Sequence, residues 1–249
     1  MSKRTPIIKD YLEELGQQDS NYFPGAFWEK ALQKIAENYI SHGINDFRKD
    51  DINLNFFVPT YGPPGNGFIN EEISYLVSNS RVDLGSKQRK YIEMCFDGSL
   101  QALADYRTFC ASNSKSDRID YSGFSESKVG APVEHFSFGG KNFSRSALNY
   151  LLGLSFLKKV APDFVPSKVL EIGGGFGTLG EILLNSSIKN FKYIDLDLPP
   201  MFLIAEEYLK NCCDEDEKFF DHINNRSDKI HINNLTRFSF LPNWRIENL

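Results

Sequence analysis

Cysteine is scarce in this chain: four among 249 residues, at positions 95, 110, 212 and 213. Their spacing fits no metal-binding pattern, and the adjacent pair 212–213 is poorly placed to bridge itself, so no ligand set for a metal is expected. Long apolar runs are also missing. No stretch approaches the roughly 20 residues that a membrane-crossing helix requires, so no membrane span is expected. The opening Met1-Ser-Lys-Arg-Thr-Pro6 has no secretory core, and a reducing cytoplasm is the expected location. Positive charge is in short supply as well: 28 Lys and Arg stand against 33 Asp and Glu, a formal net charge of −5. That balance argues against a nucleic-acid partner held by bulk phosphate attraction. It leaves room for a small anionic substrate in a local basic pocket. Length is not lacking, and the chain can bury one large core or two smaller ones.

What stands out is Lys168-Val-Leu-Glu-Ile-Gly-Gly-Gly-Phe-Gly-Thr-Leu-Gly180, followed by Glu181-Ile-Leu-Leu184. A short apolar run, a glycine cluster and an apolar-periodic stretch predict strand, tight turn and helix. Gly173, Gly175 and Gly177 permit positive φ and a close approach of ligand to main chain. A helix opening after them offers unpaired N–H groups. The expected occupant is a nucleotide-like ligand across the carboxyl end of a parallel sheet.

Two readings of the turn compete. Gly175-x-Gly177-x-x-Gly180 satisfies the dinucleotide fingerprint, which on its own is a weak signal. Glu171-x-Gly173-x-Gly175-x-Gly177 resembles instead the form seen in S-adenosylmethionine-dependent methyltransferases. A carboxylate just before the glycines suits a ligand carrying ammonium and sulfonium charge and repels a pyrophosphate. The next predicted strand, Phe191-Lys-Tyr-Ile-Asp-Leu-Asp-Leu-Pro-Pro200, ends in acids about twenty residues past the glycines, where a carboxylate can hold ribose hydroxyls. Asp197 is the first choice for that role and Asp195 the second. Met201–Lys210 then shows helical periodicity.

The first half reads differently. Residues 1–23 predict a loosely attached helical lead-in, and Ala26–Ser41 a helix whose apolar face (Trp28, Leu32, Ile35, Ala36, Tyr39) belongs to the core. Phe56–Phe68 is a Pro- and Gly-rich shaped loop from which Tyr61 or Asn66 could reach a pocket. Helices are expected at Ile73–Asn79, Lys87–Met94 and Ser99–Phe109. In the last, Asp105 and Arg107 are candidate substrate contacts, because polar groups in an otherwise apolar helix want partners. Ser112–Ser127 has no periodicity and predicts a mobile connection. The division expected is a mainly helical region, 1–127, serving as substrate or lid part, and a cofactor-binding part, 128–249. His135 lies among apolar residues near a plausible pocket and is the candidate base, since imidazole titrates near neutrality. Ser144 predicts the N-cap of a buried helix from Arg145 to Lys158, with Arg145 a third candidate substrate contact.

Several stretches taken together carry a family resemblance: Ala102-Leu-Ala-Asp-Tyr-Arg-Thr-Phe109, Val129-Gly-Ala-Pro132, Phe143-Ser-Arg-Ser146 and Leu148-Asn-Tyr-Leu-Leu-Gly-Leu154. With Leu170–Gly177 and Ile194–Pro200, they resemble the sugar O-methyltransferases of bacterial glycan loci over roughly residues 25–245. The resemblance implies an α/β, Rossmann-like class I methyltransferase sheet, S-adenosylmethionine as methyl donor and a sugar or glycan hydroxyl as acceptor. It implies Glu171, Gly173, Gly175, Gly177, Asp195 and Asp197 as cofactor contacts. One departure accompanies it. Beyond the two strands above, only a short third at Ile230–Ile232 is predicted, so the sheet is expected to be incomplete at its C-terminal side. A partner or a missing segment would complete it. The alternatives left open are a non-catalytic, S-adenosylmethionine-binding remnant or partner subunit, and an NAD(P)-dependent oxidoreductase.

Overall fold

The structure is a computed structural model that describes residues 4–79, 85–114, 117–212, 219–222 and 229–249. Helices dominate the first half: α1 (Arg4–Leu15), α2 (Ala26–His42), α3 (Asp51–Phe56), α4 (Asn70–Ser78), α5 (Ser86–Phe96) and α6 (Ser99–Ser112). In α2, Leu32, Ile35, Ala36 and Tyr39 recur at helical spacing and are buried. The helix stops at Gly43, whose positive φ of 67° lets its N–H return to the Tyr39 carbonyl at 2.8 Å. The lead-in is held firmly: α1 buries Ile8, Tyr11 and Leu15, and the Tyr11 ring meets Phe202 edge-on at 4.9 Å. For residues 4–23 the loose attachment expected is therefore corrected by an apolar stripe that the polar composition obscured, while residues 1–3 lie outside the described residues.

A two-stranded antiparallel hairpin follows, β1 (Phe136–Phe138) and β2 (Lys141–Phe143), closed by Gly139-Gly140. Next is α7 (Arg145–Val160), capped as expected by Ser144, whose hydroxyl accepts from the Ala147 N–H at 3.1 Å. The second half carries a four-stranded parallel sheet. Its strands are β3 (Lys168–Ile172), β4 (Lys192–Asp197), β5 (Phe220–His222) and β6 (Phe238–Pro242), in spatial order β3-β4-β6-β5. Helices α8 (Thr178–Leu184) and α9 (Met201–Asn211) lie between its strands in sequence, as parallel connections require. The fold is thus α/β.

On one face of the sheet, Tyr193, Phe238 and Phe240 join a buried cluster that runs from Ile8 to Trp244 and includes Phe202, Ala205 and Leu209 of α9. On the other, Ile194, Leu196 and Leu241 form a smaller cluster under Ile230, Ile232, Leu235 and Leu249. Both faces of β4 are covered, and Tyr193 to Asp197 are all buried, Asp195 and Asp197 among them. The strand expected at Ile230–Ile232 is corrected: those residues cover the sheet, and the third long strand is β6, paired with β4 in register Ile194–Ser239 and Leu196–Leu241.

Ser112–Ser127 is not wholly a mobile connection. Among its described residues Ile119, Tyr121, Phe124 and Glu126 are buried. Nor is α7 buried throughout, because Phe156, Leu157 and Val160 are exposed. Among the described residues no helix is long and apolar enough to cross a membrane.

Candidate functional site

The glycine turn sits where the sheet's first two strands end. Gly173, Gly175 and Gly177 have φ of 76°, 64° and 96°, a region that favours glycine. The turn is tied to β4 twice, by Gly173 N–H donating to the Leu196 carbonyl at 2.8 Å and by Gly175 N–H donating to Asp197 Oδ2 at 2.9 Å. Asp197 Oδ1 accepts from the Leu198 N–H at 2.7 Å. Gly180 serves packing: a Cβ there would stand 2.6 Å from Leu209 Cδ1 of α9. Helix α8 has only seven residues, so its dipole adds little to the site.

Beside the turn lies a cavity of about 350 Å³, lined by Trp28, Ile172, Gly173, Gly175, Leu196, Asp197, Leu198, Met201 and Asn243. Mostly apolar walls with a few polar groups suit an organic ligand of nucleoside size. The Asn243 amide donates to the Tyr22 carbonyl at 2.9 Å, while its buried Oδ1 has no hydrogen-bond partner. Trp28 reaches the cavity from α2, so the face assigned above wholly to the core also contributes to the pocket.

Three carboxylates gather behind the turn. Glu171 is buried and accepts hydrogen bonds from the Tyr150 hydroxyl of α7 and the Tyr193 hydroxyl of β4. Asp195 is fully buried, with no side-chain partner and only the Gly174 backbone N–H beside it to favour its charged form. A Cβ at Gly174 would lie 2.5 Å from Asp195 Oδ1 and 3.1 Å from Glu171 Oε2, so a glycine is needed for the turn to pass these acids. Burial pushes all three carboxyls up. It raises Asp195 well above the ordinary range, helped by the charges of Asp197 and Glu171. It raises Glu171 against its two tyrosine hydrogen bonds. Asp197 is pushed up to about 7 by burial, opposed by the Gly175 and Leu198 N–H groups. Among the described residues, no Lys or Arg forms a salt bridge with any of the three.

The remaining candidates fall into two other places. Asp105 accepts from the Tyr61 hydroxyl at 2.6 Å, and Arg145 donates to the Thr60 carbonyl at 3.0 Å with its guanidinium 5.9 Å from the Tyr61 ring centre. Asp105 and Arg145 thus meet around Tyr61, whereas Arg107 of the same helix is exposed. None of the three lines the cavity. Asn66, the other loop residue considered, donates to the Phe96 carbonyl at 2.5 Å.

His135 belongs to a buried ion network. Its Nε2 is 3.1 Å from Arg48 Nη2 and 3.3 Å from Glu126 Oε2. Arg48 is completely buried, pairs with Glu126 at 2.7 Å and Glu134 at 2.5 Å, and lies 4.7 Å from the ring centre of Phe176 in the glycine turn. Burial works against the Glu126 anion, but the Arg48 charge and the His135 contact hold its carboxyl down at about 2. Glu181 of α8, hydrogen-bonded by Tyr208 at 2.6 Å, is pushed up to about 7 by burial and by the charge of Glu126. This network braces the turn from behind. It places His135 outside the residues that line the cavity, with its ring against Arg48 and Glu126.

Sequence reasoning missed Trp28, Asn243 and Arg48 as parts of the site and its support. The first two stand far from the glycine motif in sequence and are brought in by α2 and by the turn after β6. Among the described residues, no group of three or more His, Cys, Asp and Glu side chains could hold a metal ion. The chain matches no protein-family model, no curated protein and no solved structure.

Proposed function

We propose that this chain binds S-adenosylmethionine on a Rossmann-like sheet and serves as an O-methyltransferase for a sugar or glycan hydroxyl. The observation that carries the reading is the group of three buried carboxylates behind a glycine turn, with no salt-bridge partner among the described residues, beside a cavity of nucleoside size. A sulfonium or ammonium cation beside them would favour their charged forms, whereas the pyrophosphate of a dinucleotide would oppose ionisation, so the site suits a cationic ligand better. Asp197, at the cavity wall, would take the ribose hydroxyls, and Trp28, Met201 and Leu198 would pack the base. Glu171 would act through Tyr150, whose hydroxyl it orients, instead of touching the cofactor itself.

The chemistry is a direct displacement. The acceptor oxygen forms a bond to the methyl carbon as the carbon–sulfur bond breaks, the sulfonium leaves as a neutral thioether, and the hydroxyl proton passes to a base or to water. The protein's part is alignment and electrostatics. The Tyr61, Asp105 and Arg145 group, formed by the loop after α3 and the helices α6 and α7, supplies hydrogen-bonding groups of the kind that hold a sugar. Calorimetric titration of the folded chain with S-adenosylmethionine, with NAD as control, tests the cofactor. Saturable binding of S-adenosylmethionine supports the reading. Binding of NAD alone would replace it with an oxidoreductase, and binding without methyl transfer to any sugar acceptor would leave a cofactor-binding subunit.

A further inference from the structure

A polar cleft of about 350 Å³ lies between the end of α1 with the turn that follows it and the short helical turn Asn243–Asn248 that follows β6. Every residue lining it carries a polar group. Gln18, Asp19, Asn21 and Tyr22 belong to one wall, and Trp244, Glu247 and Asn248 to the other. The walls are tied together by the Tyr22 hydroxyl, which donates to Glu247, and by the Asn243 amide, which donates to the Tyr22 carbonyl at 2.9 Å. Asn243 also lines the cavity beside the glycine turn, so cleft and cavity adjoin across the Tyr22–Asn243 contact.

Polar walls alone describe any wet crevice, but Trp244 sets this one apart. The residue is only 6% exposed, and its indole N–H is buried with no acceptor among the described residues. An indole nitrogen can only donate, and a buried one is normally paired, because leaving it bare costs stability. The rest of the lining narrows the choice of ligand. Glu14, Asp19 and Glu247 stand against a single guanidinium, Arg245, a balance that disfavours phosphate and carboxylate groups. One Asp19 oxygen accepts from the Asn21 N–H at 2.9 Å and one Glu247 oxygen accepts from Tyr22, which leaves each carboxylate a second oxygen to offer. Carboxylates only accept, whereas the amides of Gln18, Asn21 and Asn248 both donate and accept. Hydroxyl groups do both as well, so several of them on one small neutral ring match these walls.

We propose that this cleft binds a neutral, unphosphorylated sugar, with Trp244 donating to one of its oxygens and Asp19 and Glu247 accepting from its hydroxyls. The site shares no residue with the Tyr61, Asp105 and Arg145 group, and it is independent of what the adjoining cavity holds.

The chain has two tryptophans, Trp28 at the cavity and Trp244 at the cleft. Proton–nitrogen correlation spectra of the full chain therefore report each site by its own indole signal, and Trp28→Phe assigns them. Titration with glucose, galactose, mannose, rhamnose and N-acetylglucosamine should move the Trp244 signal saturably for at least one sugar, with a dissociation constant in the millimolar range. S-adenosylmethionine added alone reads the cofactor site at Trp28, so a failure there is distinguishable from a failure at Trp244. Asn21→Ala and Glu247→Ala, both at exposed positions, should leave circular dichroism unchanged and weaken sugar binding roughly tenfold each. A Trp244 signal that none of the five sugars moves at tens of millimolar overturns the proposal. So does sugar binding indifferent to both variants, or a Trp244 signal that responds to spermidine or inorganic phosphate and to no sugar.

Discussion

Replacing Asp197 by asparagine should change protein stability in opposite directions at acid and alkaline pH. The carboxylate accepts from two backbone N–H groups, Gly175 at 2.9 Å and Leu198 at 2.7 Å. Asparagine has one oxygen for these two donors, and its amide would face the other. Leaving one buried N–H unpaired costs about 1–3 kcal/mol at any pH. Against this stands the charge. Folding raises the Asp197 carboxyl from 3.8 to about 7, which penalises the charged form by about 4 kcal/mol. A raised carboxyl contributes its stability fully below the unfolded value and loses it as pH rises through the folded one. Asparagine escapes that loss. Asp197→Asn should therefore destabilise the chain by about 1–3 kcal/mol at pH 4 and stabilise it by about 1–3 kcal/mol at pH 8, with the sign changing at about pH 4.5–6. Urea unfolding at several pH values, with the denaturant slope compared between variants, reads this directly. A free-energy difference that does not vary with pH would refute the reasoning, because the carboxylate would then carry no burial penalty.

The other consequences concern the supports of the turn. Wild-type stability should peak near pH 4–5: Asp197 and Glu181 lose their contribution as pH rises from about 4 to about 7, and Glu126 loses its own as pH falls from 4.5 towards about 2. A midpoint of unfolding that climbs steadily from pH 5 to pH 8 would contradict this. Arg48→Ala strands Glu126 and Glu134 in the interior and should cost about 3–5 kcal/mol in chemical denaturation. Gly174→Ala would press a methyl group to 2.5 Å from Asp195 Oδ1; a loss of about 1–3 kcal/mol is expected, with weaker cofactor binding in the same protein.

The parts visible in the sequence are those where local signals and tertiary structure agree. Lys168–Gly180 reads as strand, turn and helix because β3 supplies a short apolar run and the turn needs positive φ at Gly173, Gly175 and Gly177. Ser144 is recognisable as a cap because its hydroxyl bonds within its own first turn. Where pairing is made over distance, the signal fades. Phe238-Ser-Phe-Leu-Pro242 reads as a chain end, and only pairing with β4 makes it a strand. Trp28 shows helical periodicity like any core residue, and nothing local says that its ring borders a cavity at the far strand ends.

The buried ion network was equally hidden. Glu126 lies in a Ser-, Asp- and Lys-rich stretch that reads as solvated, and Glu134 near a proline and a glycine. Only the folded chain brings both against Arg48, with His135 beside them. The histidine illustrates the limit of motif reading: its neighbours in sequence suggested a pocket, while its neighbours in space are an arginine and a carboxylate.

The most direct test of the central claim is calorimetric titration of the folded chain with S-adenosylmethionine, repeated for Asp197→Ala and Trp28→Ala and with NAD in place of the methyl donor. The account predicts saturable binding of S-adenosylmethionine, at least about tenfold weaker in each variant, and no binding of NAD. A folded chain that takes up NAD, or that binds S-adenosylmethionine with no dependence on Asp197 or Trp28, would contradict it.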